Sequence, residues 1–120
     1  MQEGGAAMGQ SFTTPSLELQ TAVVQAAHAA GKVAVAHALA LDDTLLALRA
    51  GVDGMTHTFC DRAPTAEVID AYRKARAWCN PTLVTIGSLT GEGRRLAERF
   101  AHDPRVQNLI GEGERGAMCE

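Results

Sequence analysis

Two histidines carry the strongest chemical signal in this sequence. His37 closes the apolar run VAVAH (33–37), and His57 closes the run VDGMTH (52–57). Neutral imidazole is the commonest metal-binding side chain in proteins. Parallel strands lie about 4.8 Å apart. If the two runs are neighbouring parallel strands, both rings stand at one end of a sheet. They can then converge on a single ion, because Zn–N bonds are only about 2.0–2.1 Å long. A strand-end histidine also serves as a hydrogen-bonded residue at the edge of a core, so the local pattern leaves both roles open. Catalytic zinc usually has three protein ligands and an open position for water, so two histidines make half a site.

The other candidates are weaker. His28 lies among alanines in a helical run, and His102 stands beside Asp103 at a helix end; both read as surface or capping residues. Asp61 and Arg62 follow His57 in a polar loop over the site. They are placed to touch a substrate, or they are simply surface residues. Cys60 is a soft ligand candidate in the same loop. Asn80 and Thr82 flank the pocket if the next strand runs from residue 82, with Asn80 then at the end away from the site. Strict alternation groups Val33, Val35 and His37 on one face, and Asp53, Met55 and His57 on one face. Asp53 falls at the far end and needs a polar partner, since an unpaired buried charge is costly.

The elements that must position these residues can be read in order. Residues 1–15 form a Gly- and Ala-rich arm without periodicity. Pro15 or Ser16 starts a helix with a stripe at Leu19, Val23, Ala26, Ala27 and Ala30, closed by Gly31. The run 33–37 is almost wholly apolar, as a strand buried on both faces would be. Asp42 or Asp43 caps a second helix that Gly51 closes. The second strand spans 52–58. Thr65 caps a third helix reaching Cys79, with Val68, Ile69, Tyr72 and Ala75 on its apolar face. Asn80-Pro81 breaks it, and residues 82–86 read as a third strand. Residues 87–93 form a loop whose GEG is at most a weak phosphate-cradle signal, and a fourth helix runs over 93–103. Residues 104–120 form an irregular tail.

The order is αβαβαβα, which calls for parallel strands joined by helical crossovers. The fold class is therefore α/β, either an open doubly wound sheet or an arc of a barrel. No GxGxxG or GxxxxGK[ST] points to a nucleotide. At 120 residues the chain cannot complete a (β/α)₈ barrel, which usually takes about 250. A net charge of −3 without a basic run argues against nucleic acid, and no apolar run suits a membrane span. Three scattered cysteines (Cys60, Cys79, Cys119) argue for a reducing, cytoplasmic setting.

The segment AAHAAGKVAVAHALALDDTLLALRAGVDGMTHTF resembles the fifth to sixth strands of the amidohydrolase superfamily. It is most like the imidazolonepropionase-related and prolidase-like metal-dependent hydrolases. The GK-V-x-V-x-H-A strand, the AGVD turn and the G-x-x-H strand carry the likeness, and NPTLVT fits the seventh strand. The resemblance covers residues 16–103 and implies a partial TIM-type barrel. It also implies that His37 and His57 are metal ligands, with zinc or another divalent ion as cofactor, one or two ions in the full-length parent. The implied reaction is hydrolysis of amide or other C–N bonds in a small amide or dipeptide. The family's HxH pair and its eighth-strand aspartate have no counterpart; Lys32 and Asp103 are wrongly placed for the family's remaining roles. The chain is thus expected to be a fragment, inactive alone, with none of its residues assigned as catalytic. Its open strand edges allow a homo-oligomer. The alternative is a non-catalytic α/β binding module with structural histidines.

Overall fold

The structure, a computed structural model, describes residues 12–89, 91–106 and 108–119. The arm expected over residues 1–15 therefore lies outside the described residues up to position 11. The chain divides into two compact units, Met1–Thr82 and Leu83–Glu120.

Among its described residues the first unit holds three helices and a parallel sheet: α1 (Leu17–Ala29), β1 (Val35–His37), α2 (Leu41–Ala50), β2 (Gly54–Thr56), α3 (Ala66–Ala75) and β3 (Trp78–Asn80). The sheet order is β1-β2-β3, and both pairings are parallel. The expected α/β class with alternating parallel strands is therefore present. Ser16 caps α1 by accepting from the Leu19 amide at 3.3 Å, and Thr65 caps α3 by accepting from Val68. Gly51 ends α2 in the left-handed region (φ 92), where a Cβ would be penalised.

Several local expectations change. Helix α2 begins at Leu41, so Asp42 and Asp43 sit in its first turn, where the helix dipole favours them, and neither is the cap. The buried face of α1 carries Gln20 and Val24, while Leu19 and Val23 are exposed. Gln20 tolerates burial because its side-chain amide donates to the Pro15 carbonyl at 2.8 Å. The third strand is Trp78–Asn80, and residues 83–89 are helical instead of a strand. Helix α3 stops early because Arg76 takes a left-handed conformation (φ 53), freeing residues 77–80 to pair with β2.

One core serves the whole unit. Val24 of α1, Leu45 and Leu48 of α2 and Val68 of α3 pool with Ala36 and Met55 of the strands. All three helices thus cover one face of the sheet. The other face carries Val35, Gly54 and Trp78 in one cross-strand row, then His37, Thr56 and Asn80 in the next. It remains open: Trp78 is 49% exposed and Val33, just before β1, is 72% exposed. The Trp78 indole lies so close over Gly54 that a Cβ there would fall within the ring system.

The second unit holds α4 (Leu83–Leu89), α5 (Arg94–Ala101) and α6 (Glu112–Cys119), with α5 and α6 in contact. Helix α6 occupies much of what reads in sequence as an irregular tail. Among the described residues no helix is long and apolar enough to cross a membrane.

Candidate functional site

His37 and His57 do meet at the C-terminal end of the sheet. Their ring centroids are 4.5 Å apart and the rings are nearly perpendicular, at 89°. The route to that contact differs from the expected matched register. His37 stands opposite Thr56, not His57. Continued alternation would send His57 to the helix-covered face with Met55. Instead His57 adopts φ 68, and this left-handed turn, just past the last strand residue, brings its ring against His37.

Three contacts hold that turn. The His57 amide donates to the Asn80 carbonyl at 2.9 Å. The Cys79 thiol donates to the His57 carbonyl at 3.5 Å. The His57 Nδ1 shares a hydrogen bond with the Thr82 hydroxyl. Thr82 is itself left-handed, with φ 46. A non-glycine residue in that region costs about 1–2 kcal/mol. A neutral hydrogen bond returns only about 0.5–1.5 kcal/mol. The backbone cost at His57 and Thr82 and the return from the three hydrogen bonds are thus of similar size, so the turn persists only while those partners hold it.

The His37 Nδ1 is buried and has no hydrogen-bond partner among the described residues. Such an orphan is unusual in a folded protein, and an unfilled ligand position is one physical account of it. Two imidazoles bound to one tetrahedral ion at about 2.0–2.1 Å place their centroids about 5 Å apart, so the observed spacing is close to that of a shared ion, although the T-shaped contact requires the rings to turn before both can face it. Among the described residues, no group of three or more His, Cys, Asp or Glu side chains is gathered as a metal site. These two residues fit a metal as a partial ligand set.

The surrounding candidates have partners within the fold. Asp61 accepts from the Leu41 amide at 2.9 Å, supplying α2 with the cap that Ala40 cannot. Arg62 donates to Asp42 at 2.7 Å and to Asp61 at 2.9 Å. Burial works against the Asp61 charge, yet Arg62 and the Leu41 amide outweigh it and hold its carboxyl below the ordinary value. Asp61 and Arg62 thus tie the loop after β2 to the start of α2. Cys60 is bound to the same place, its amide donating to the Leu39 carbonyl at 3.0 Å and its thiol lying 3.7 Å from that oxygen. Asn80 pairs with Thr56, so it lies at the histidine end of the sheet and not the remote end. That correction follows directly from moving the third strand to Trp78–Asn80.

At the opposite end, Asp53 finds the polar partner it requires. Its Oδ2 accepts from the Ala34 amide at 2.7 Å and from His28 Nε2 at 2.8 Å. The Ala34 bond, then the His28 bond, hold the Asp53 carboxyl below its ordinary value. His28 is a partner of Asp53 and not merely a surface residue. His102 ends α5 as its C-cap, and Asp103 is engaged by Arg105 through both backbone and guanidinium.

Tyr72 was legible only as an apolar-face residue of α3. Its hydroxyl is buried beside the Cys79 thiol, and burial first, then the interaction with that thiol, pushes its ionisation up. Comparison with protein-family models, curated proteins and solved structures returns no match.

Proposed function

We propose that this chain is a segment of a metal-dependent hydrolase of the amidohydrolase type, in which His37 and His57 are two of the metal ligands. The observation that carries this reading is the meeting of the two imidazoles at the C-terminal end of adjacent parallel strands. Barrel enzymes of this architecture keep their active sites at that end. The one-sided coverage of the sheet supports it further: helices line one face and the other stays open, as in an arc of a (β/α)₈ barrel. A bound zinc or similar divalent ion would lower the pKa of a water and polarise a carbonyl, so that an amide or other C–N bond could be hydrolysed near neutral pH. The substrate class is a small amide, dipeptide or cyclic amide. The sequence contains no HxH pair, so the remaining ligands and the general base come from outside this chain, which is inactive alone. The setting is the cytoplasm, where its scattered thiols stay reduced.

The test is Co²⁺ and Zn²⁺ titration of the full 120-residue chain, followed by absorption and calorimetry. The expected result is weak binding that falls at least about tenfold in His37→Ala and in His57→Ala, with His28→Ala unaffected. Binding that ignores both substitutions removes the ligand assignment. Amide hydrolysis by the isolated chain would remove the fragment reading. An HxH pair upstream in the same reading frame, with a strand-end aspartate downstream, would support it.

A second reading is a non-catalytic binding module with structural histidines. The ring contact itself and the His57–Thr82 bond favour it, since both give the imidazoles packing roles. In that case no metal binds, and the exposed Val33, Val35 and Trp78 offer an apolar surface for self-association, visible as a concentration-dependent mass.

A further inference from the structure

We infer that Thr82 is the positioning residue of this site. Its hydroxyl accepts the Nδ1 proton of His57 and so leaves the Nε2 lone pair of that ring for a ligand. The consequence for metal binding rests on the reading of His57 as a ligand; the tautomer itself does not.

The geometry is specific. Two non-glycine residues with positive φ, His57 and Thr82, lie 25 positions apart and are joined by one side-chain hydrogen bond. His57 follows the last residue of β2, and Thr82 lies two residues beyond the last residue of β3. The amide of His57 is meanwhile fastened to Asn80. The backbone of the turn is thus held by β3, while the ring plane is held by Thr82. Removing the hydroxyl leaves the first constraint and deletes the second.

A histidine ring has two distinct nitrogens, and the hydrogen bond made by one decides what the other can do. A threonine hydroxyl is both donor and acceptor, so it can accept from Nδ1–H. With the hydroxyl accepting, as proposed, the proton sits on the nitrogen facing Thr82; with the hydroxyl donating, it would sit on Nε2, and imidazole nitrogen spectra separate the two. With the hydroxyl accepting, the opposite nitrogen is unprotonated, which is the form that binds a cation. Neutral histidine free in water favours the other tautomer, with the proton on Nε2, so a fixed Nδ1–H form requires a partner such as this one. The partner contributes at a distance from any ligand and touches none itself.

Imidazole nitrogen spectra of the metal-free chain read the tautomer directly. Wild type and Thr82→Ser are expected to show His57 with its proton on Nδ1. Thr82→Val keeps the branched shape and loses the hydroxyl, and is expected to shift His57 toward the Nε2–H form. If the valine variant unfolds, Thr82→Ala deletes the same hydroxyl with less crowding. Zn²⁺ affinity is then expected to fall about tenfold in the valine or alanine variant and to survive in the serine variant. A wild-type ring protonated on Nε2, or a tautomer unchanged by Thr82→Val, overturns the proposal. A tautomer that shifts as described while no variant, wild type included, takes up Zn²⁺ upholds Thr82 and removes the metal reading alone.

Discussion

The two ends of the sheet each hold a histidine arrangement, and they are built on opposite principles. At the N-terminal end, one carboxylate oxygen of Asp53 accepts two hydrogen bonds, from Ala34 and from His28, and the Asp53 backbone links β1 to β3 through Ala34 and Trp78. At the C-terminal end, His37 has a buried nitrogen without a partner, and His57 and Thr82 both sit at positive φ. The Asp53 carboxylate is partnered, whereas His37 keeps a nitrogen unpartnered among the described residues; left-handed non-glycine backbone occurs at both ends, at Arg76 before β3 and at His57 and Thr82. The first end contributes hydrogen bonds to the fold, and the second holds the pair on which the proposed ligand role rests.

The contrast can be broken most severely from the middle. Met55 is fully buried between the two ends. Met55→Ala is expected to cost about 2–5 kcal/mol by loss of transfer energy and formation of a cavity. Chemical denaturation should show the loss, and both ends should be lost in one transition if the unit is cooperative.

A smaller effect is expected at the Asp53 end. The Asp53 carboxyl is held below its ordinary value of 3.8 by Ala34 and His28. A lowered folded-state value means that its stabilisation is present in full above about 3.8 and is lost as pH falls through the lower folded value. Asp53→Asn should therefore lower the urea midpoint at neutral pH and flatten its dependence between pH 5 and 3. An unchanged acid limb would show that the pair contributes nothing.

The smallest effect belongs to the end that holds His37 and His57. Glycine occupies positive φ freely, so His57→Gly relieves the backbone while deleting the ring contacts. The expected change in stability is within about 1 kcal/mol in either direction. A loss as large as that of Met55→Ala would mean that the His57 ring is a structural anchor, and the proposed division of labour between the two ends would fall.

Much of the local structure was legible. Thr65 is a helix cap because its hydroxyl reaches an amide three residues on, and Gly51 closes α2 because only glycine takes φ 92 cheaply; the start of α1 was legible to within a residue or two, with Ser16 proving to be its cap. The alternation of apolar runs and helices made a parallel α/β sheet the natural reading, and two of its three strands fell where expected. The third did not. Residues 82–86 are apolar and partly β-branched, a short run that suits a strand or a helix equally. Arg76 decided the matter by ending α3 early, and Trp78 then found its place over Gly54. No local feature of Arg76 announces a left-handed conformation. The role of Asp61 was equally hidden, since it caps a helix that begins 20 residues earlier in the chain.

By itself, then, the amino-acid order determined which residues could do chemistry and placed both histidines at strand ends. It determined the cap of α3 too, because Thr65 reaches an amide three residues on, but not that of α2, whose cap Asp61 comes from 20 residues away. Tertiary structure decided whether the histidines meet. The parallel register sets His37 against Thr56, and alternation alone would have turned His57 to the other face of the sheet. A left-handed turn at His57, held by Asn80 and Thr82 from a third strand's exit, reverses that outcome. Side-chain direction at a strand end depends on one backbone dihedral, and that dihedral is set by partners distant in sequence.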